Sequence, residues 1–168
     1  MSLNFIPDFR FERFSEATVE FLSKQGIKGL LLDIDNTLEP YENPKPGEDV
    51  LRWFEALGAA GIKCAFVSNN GWNRVEEFNK ELGFVAFAKA KKPFKGKLLQ
   101  ALDLIGVSRD CAAIMGDQVF TDVWAGHNAG IKTILVPPIK DKTDLFTKFK
   151  RLLEVPFLKI YNKRKKNN

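Results

Sequence analysis

The sequence predicts an α/β protein of 168 residues, built on a five-stranded parallel sheet with helices on both faces. Two observations favour this fold. Short apolar runs of strand length alternate five times with segments of helical periodicity, which is typical of a parallel sheet. Polar residues directly follow three of those runs, at the sheet edge where open α/β sheets bind their ligands. We expect one domain over residues 1–155, followed by a basic tail over residues 156–168.

An N-terminal arm precedes the first strand. Residues 1–14 contain four phenylalanines without a clear period, and Pro7 argues against a helix there. We expect these aromatic rings to pack the arm onto the body; contact with a membrane is the alternative. Ser15 is the predicted cap of a helix over residues 16–24, and the first strand follows at residues 30–32.

The remaining elements continue the alternation. The predicted helices cover about residues 48–60, 73–82, 94–105, 121–129 and 141–153, and the predicted strands cover residues 62–67, 84–88, 111–115 and 131–136. Glycines at 61, 83 and 130 are suited to ending three of these helices. The proline-rich stretch 39–47 is predicted to be a loop.

Two acids, Asp33 and Asp35, end the first strand. Residues spaced i and i+2 on a strand point to the same side, so both carboxylates can face one site. Burying them is costly unless a cation or a shared proton compensates. Mg²⁺, which carboxylates and phosphate oxygens bind in proteins, would do so. The alternative is an ordinary Asp/Asn-rich turn after a buried strand.

Polar side chains also follow the later strands. Ser68 and Asn69 end the second strand and can donate hydrogen bonds to phosphate oxygens, or they form a simple turn. Lys92 follows the third strand and can bind phosphate as a compact cation, or it is solvated like most lysines. Asp117 ends the fourth strand, and Asp122 lies five residues later, where each acid can serve a metal or form part of a turn or cap.

The composition excludes several kinds of site. His127 is the only histidine, which rules out a histidine nucleophile or a histidine-rich metal site and argues against a hydrolytic triad. Cys64 and Cys111 form no CxxC motif, and we expect both to be reduced, buried thiols. The sequence shows neither a signal peptide nor an apolar run of membrane-spanning length, so we expect a cytoplasmic protein.

The ordered set of motifs resembles the haloacid dehalogenase (HAD) superfamily of phosphohydrolases, which implies a Rossmann-like fold. Within that superfamily, "DIDNTL", "VSNN", "KKP" and "GDQVFTDVWAGHNAG" resemble the YqeG family of subfamily IIIA. That family is similar in turn to the mitochondrial phosphatidylglycerophosphate phosphatases. The likeness extends to "PD" near the N-terminus and to "TILVPP", and it covers nearly the whole chain except the basic tail.

The resemblance implies a Mg²⁺-dependent phosphomonoester hydrolase. By position, Asp33 would be the nucleophile that forms an aspartyl-phosphate, and Asp35 would protonate the leaving group and then activate water. The Asp33 carboxylate, the Asp35 backbone carbonyl and Asp117 would hold Mg²⁺, and Asp122 would support the metal shell.

The same resemblance implies how the phosphoryl group is bound. Ser68 and Lys92 would bind it during transfer, with Asn69 nearby. The predicted helices use up both intervals in which this superfamily inserts a cap domain, so we expect no cap and an open site. An open site suits a bulky substrate or a protruding phosphate, such as a lipid headgroup, a protein or a nucleic-acid end; a partner subunit could also cover it.

The net charge of +5 is concentrated at the C-terminus. Residues 148–168 contain eight Lys/Arg and one Glu, and the rest of the chain is slightly acidic. Such a tail is often only a solvated end, but it could bind an anionic membrane or RNA. Two functions therefore stay open: a phosphatase, acting on phosphatidylglycerophosphate or another phosphate ester, or a binding protein on a HAD scaffold that docks on RNA, on the ribosome or on a membrane through its tail.

Overall fold

Six parallel strands form one sheet in the computed structural model, which describes residues 4–140 and 145–166. The strands are β1 (Phe9–Arg10), β2 (Gly29–Leu32), β3 (Lys63–Val67), β4 (Val85–Phe87), β5 (Ala112–Gly116) and β6 (Lys132–Leu135). Their order across the sheet is β1-β6-β5-β2-β3-β4. The α/β prediction is confirmed, and β2, which carries the first acidic motif, lies inside the sheet.

The predicted number of strands is wrong by one, because the N-terminal arm contributes an edge strand. Phe9 pairs with Ile134 and Arg10 pairs with Leu135. The Asp8 carboxylate accepts hydrogen bonds from both the backbone nitrogen and the hydroxyl of Thr133, each at 2.8 Å. A strand of two residues has no alternation to detect, so only these contacts with a distant part of the chain define it.

Helices cover both faces of the sheet. They are α1 (Val19–Lys24), α2 (Glu48–Ala59), α3 (Trp72–Asn79), α4 (Gly96–Ile105), α5 (Trp124–Ala129) and α6 (Leu145–Lys166). The predicted cap of α1 is wrong: Ser15 lies in a 3-10 turn, and the hydroxyl of Thr18 caps the helix by accepting from the Phe21 nitrogen at 3.2 Å. A π-helical turn, Val119–Val123, precedes α5.

The core follows the two-residue period of the strands. Leu30 and Leu32 of β2 face a cluster with α1, α2 and α3, whereas Leu31 faces a cluster with α4 and α5. Because β2 is buried on both faces, its sequence reads as an unbroken apolar run. In the described residues, the interval between Asp35 and Ser68 and that between Lys92 and Asp117 hold only loops, single helices and sheet strands, which confirms the absence of a cap domain.

The C-terminal helix is longer than predicted. Residues 141–144, at its predicted start, lie outside the described residues, and α6 continues from Leu145 through Pro156 to Lys166. Phe157 and Leu158 pack against Val119 and Phe5, and burial of this apolar stripe stabilises the helical conformation of the basic segment. No helix in the described ranges has the length and apolar character needed to span a bilayer.

Candidate active site

Three side chains from the segments that follow β2, β4 and β5 meet at the carboxyl edge of the sheet. The Lys92 ammonium nitrogen lies 3.0 Å from Asp33 Oδ1 and 2.6 Å from Asp122 Oδ1. All three side chains are almost completely buried. Residues that are distant in sequence thus form one charged cluster, as the parallel topology predicted.

Asp122 is fixed by the turn that carries it. Its Oδ2 accepts from the Gln118 nitrogen at 3.1 Å and from the Thr121 hydroxyl at 3.2 Å. Residue 116 approaches this side chain so closely that a Cβ there would overlap it, which explains the glycine. The turn begins at Val119, whose backbone nitrogen donates to the buried carboxylate of Glu154 in α6 at 2.9 Å.

Burial and charge act against each other in this cluster. Desolvation raises the pKa of Asp33 to about 6, and it outweighs the opposing attraction of Lys92. Burial by itself lowers the pKa of Lys92, but the carboxylates of Asp122 and Asp33 more than compensate, so its pKa is raised. Lys92 therefore stays cationic, and Asp33 loses its proton less readily than an ordinary aspartate.

A group of three aspartates shares two members with the Lys92 cluster. Asp33, Asp117 and Asp122 each place one oxygen within 4.8 Å of the others, and all three are buried. Carboxylate oxygens are hard ligands of the kind that Mg²⁺ and similar divalent ions require. The carboxylate of Asp35 is not part of this grouping, although the residue is only two positions from Asp33.

The Asp35 side chain instead meets two residues that the sequence analysis missed. Its Oδ1 accepts from Arg74 Nε at 2.8 Å, and its Oδ2 accepts from the side-chain amide of Asn70. Both donors come from the beginning of α3 and the loop before it. The available signal was their position directly after the Ser68-Asn69 motif, because the loop after β3 and the first turn of α3 lie at the carboxyl edge of the sheet.

Ser68 and Asn69 also lie at this edge. The Ser68 hydroxyl accepts from the Asn70 nitrogen at 3.1 Å. The Asn69 side chain clamps the backbone of Lys92: its Oδ1 accepts from the Lys92 nitrogen at 2.8 Å, and its Nδ2 donates to the Lys92 carbonyl at 3.2 Å. The side-chain contacts of Asn69 are thus with the loop that carries Lys92.

Comparison with known proteins identifies the family. The chain is 34% identical over 150 residues to "Probable phosphatase YqeG" of Bacillus subtilis, and the match covers 89% of this chain and 87% of that protein. The family model described as "HAD-hyrolase-like" matches residues 89–147. The chain belongs to the YqeG family of HAD-superfamily phosphatases. It is therefore a phosphatase, and its substrate carries a phosphoryl group.

Solved HAD structures share the fold of this YqeG-family chain. A cobalt-bound deoxy-D-mannose-octulosonate 8-phosphate phosphatase of Haemophilus influenzae is 15% identical and has a TM-score of 0.56, covering 82% of this chain and 91% of that one. A putative subfamily III A hydrolase of Legionella pneumophila is 18% identical, with a TM-score of 0.51 and coverage of 73% and 72%. HAD phosphatases generally use a divalent metal, and the buried aspartate grouping suits one.

The histidine and the two cysteines lie outside the charged cluster and make contacts that stabilise the fold. His127 Nε2 lies 2.9 Å from the Ile6 carbonyl oxygen, where it ties the N-terminal arm to α5. Both cysteines are free thiols; Cys64 is buried and Cys111 is half-buried. Desolvation raises the pKa of Cys64 to about 12, so this thiol is unreactive at neutral pH.

Proposed function

We propose that the protein is a Mg²⁺-dependent phosphomonoester hydrolase that works through an aspartyl-phosphate on Asp33. One observation carries this proposal: Asp33 ends a buried central strand, 3.0 Å from the Lys92 ammonium and within a grouping of three aspartates. A nucleophile in this position can be approached by a phosphate whose charge Lys92 partly neutralises.

The reaction proceeds in two steps, transfer of the phosphoryl group to Asp33 and its hydrolysis. A carboxylate oxygen of Asp33 attacks phosphorus while the bond from phosphorus to the leaving oxygen breaks, and Asp35 gives its proton to that oxygen. Asp35 then takes a proton from water. The resulting hydroxide oxygen attacks phosphorus, the bond to Asp33 breaks, and inorganic phosphate leaves with Asp33 restored.

The metal would be held by the Asp33 and Asp117 carboxylates and the Asp35 backbone carbonyl. When bound, it would neutralise the charge of the phosphoryl oxygens. Asp122 fits a supporting position, because Lys92, Gln118 and Thr121 already donate to its two oxygens.

Lys92 and Ser68 would bind the phosphoryl oxygens. Asn69 contributes by fixing the backbone of Lys92, with two hydrogen bonds to that residue. This assigns Asn69 to positioning the lysine loop, beside the direct phosphate contact that its place in the sequence suggested.

The test is turnover of 4-nitrophenyl phosphate with Mg²⁺ and with EDTA. We expect activity only with the metal, and its loss by at least about 10³-fold in Asp33→Asn. Asp103→Asn removes an exposed acid of α4 and is the matched control. Equal rates with Mg²⁺, with EDTA and in Asp33→Asn would contradict the proposal.

We further propose a substrate whose phosphate protrudes from a larger body, with phosphatidylglycerophosphate as the leading candidate. The absence of a cap over the described part of the chain supports access for such a substrate. A screen of phosphorylated lipids, sugars and nucleotides tests this. Preference for a small free metabolite over the lipid would reject the lipid assignment.

The exposed side of α6 supports a peripheral site of action at an anionic membrane. Leu152, Leu153, Val155 and Ile160 are 40% to 67% exposed, and the exposed basic residues are Lys159, Lys163, Arg164 and Lys165. No acid lies within residues 155–166. Aliphatic side chains beside basic ones suit a lipid surface. Single-stranded RNA sites combine basic residues with aromatic rings, whereas the exposed large apolar side chains described in α6 are all aliphatic.

Vesicle co-sedimentation tests the membrane proposal. We expect binding to vesicles that contain phosphatidylglycerol but not to neutral ones, and weaker binding at high salt. Replacing Lys159, Lys163 and Arg164 by Gln should abolish it, while the same change at exposed Lys24, Lys45 and Lys80 should not. Binding to an RNA oligonucleotide without vesicle binding would instead support the RNA-docking alternative.

A further inference from the structure

Arg74 is buried in a position that fixes the side chain of Asp35. Its side chain is only 10% exposed. The guanidinium donates from Nε to Asp35 Oδ1 at 2.8 Å and from Nη1 to the Pro44 carbonyl at 3.0 Å. One planar group therefore connects α3, the loop after β2 and the carboxylate.

Aromatic rings hold this guanidinium in place. Its central carbon lies 5.2 Å from the ring centroid of Phe78 and 5.9 Å from that of Tyr41. Cation–π contacts of this kind add to the hydrogen bonds when the cation is desolvated. Asn70 donates to the other oxygen of Asp35, so each carboxylate oxygen has one donor and the carboxyl plane is set.

We propose that Arg74 is a positioning residue that aims Asp35 at the leaving oxygen, and that the site is thereby built for phosphate esters of ordinary alcohols. This inference rests on the proposed function. The leaving oxygen of an alkyl ester is a strong base and needs the Asp35 proton as its bond to phosphorus breaks. Nitrophenolate leaves without that help. An exact orientation of Asp35 therefore benefits only substrates with poor leaving groups.

A merely structural ion pair would behave differently. Arg52 and Asp49 on the surface of α2 form a pair at 2.6 Å, with both side chains more than 60% exposed. Such a pair contributes little and touches no site residue. Arg52→Met is consequently the matched control for Arg74→Met, because each change removes a guanidinium that donates to an aspartate; Asp49 keeps a second, longer ion pair with Arg13 at 3.8 Å.

The experiment compares kcat/KM for ethyl phosphate, phenyl phosphate and 4-nitrophenyl phosphate in the full chain with Mg²⁺. The value of kcat/KM depends only on the steps up to release of the leaving group. Hydrolysis of the phosphorylated enzyme comes later and does not affect it. Arg74→Met should lower the value about 30-fold or more for the ethyl ester, less for the phenyl ester and under about threefold for the nitrophenyl ester. Arg74→Lys should recover part of the loss, and Arg52→Met should show none.

Other results would overturn the inference. A loss of equal size for all three esters would mean that Arg74 maintains the site in general, and no loss would mean that Asp35 needs no such support. If the wild-type protein hydrolyses none of the esters, the proposed function fails and the inference fails with it.

A second measurement does not depend on activity. The unfolding midpoints of Arg74→Met, Asp35→Asn and the double variant form a cycle. A double variant that loses clearly less than the two single losses together shows that the contact exists in solution. Additive losses would overturn the inference whatever the kinetics show.

Discussion

Asp33 is a carboxylate that the fold holds at a cost. Its pKa in the folded protein is raised from 3.8 to about 6, mainly by desolvation. A carboxyl group with a raised folded-state pKa contributes stability that is complete below about pH 3.8. That contribution is lost as the pH rises through about 6, because the folded protein then has to bear the desolvated charge.

Asp33→Asn should therefore stabilise the metal-free protein above pH 6. We expect a gain of about 1–3 kcal/mol at pH 8, shrinking as the pH falls below 6, with activity lost. Urea unfolding in EDTA at a series of pH values measures this. Asp103→Asn should show no comparable gain, and a less stable Asp33→Asn at pH 8 would contradict the argument.

Gly116 makes room for Asp122. In Gly116→Ala the new methyl group would overlap the Asp122 side chain, so Asp122 must move and Lys92 with it. We expect a loss of activity of about 10²-fold, since displacements near 1 Å can have that effect. Gly58→Ala, at an open helical position of α2, is the control and should stabilise by about 0.5–1 kcal/mol. Steady-state kinetics and unfolding of both variants decide the point.

Some site residues could be predicted from the sequence because their position after a strand determines where they lie, and others could not. Asp33 and Asp117 directly follow strands that are visible in the sequence, and Lys92 lies five residues after the end of β4. The topology of the sheet therefore brings them to one edge. Arg74 was not predicted, because its contact with Asp35 depends on how α3 is rotated about its axis. That rotation is set by Val75 and Phe78 packing into the core.

At the scale of elements, α6 supports the π-helical turn Val119–Val123, which carries Asp122. The Glu154 carboxylate is the acceptor for the buried Val119 nitrogen, and Asp122 lies three residues further on. Glu154→Ala should destabilise the protein by about 1–3 kcal/mol, because it leaves that nitrogen unsatisfied, and should lower activity. Glu154→Gln keeps a carbonyl acceptor and should lose much less. Equal losses in the two variants, measured by urea unfolding, would argue against this role.

The elements that the sequence did not predict share one property. β1 and the final turns of α6 are stabilised by residues far away in the chain, Ile134 and Leu135 for β1 and Val119 for α6. The alternating strands and helices between them carry their own periodicity and their own glycine stops. Local sequence patterns therefore predicted the central strands and helices, but not β1 or the final turns of α6.

At the scale of the whole molecule, the metal should act as a fold stabiliser. A ligand that binds only the folded protein at a hundred times its Kd adds about 2.7 kcal/mol. We expect Mg²⁺ to raise the thermal midpoint by several degrees at pH 8. The rise should disappear in Asp117→Asn and persist in Asp103→Asn. A midpoint that is insensitive to Mg²⁺ in calorimetry would count against the metal site.

The pairing of β1 with β6 determines when the chain can finish folding. Asp8 and Thr133, which anchor this pairing, are 125 residues apart. Closing a loop of that length costs about 4 kcal/mol of chain entropy if nothing else is folded, so β1 should join only after β2, β3 and β5 have formed. On the ribosome, β1 would then be synthesised before the other strands of this sheet and would dock after them. In native-state hydrogen exchange, the amides of Phe9 and Phe11 should open well before that of Leu31.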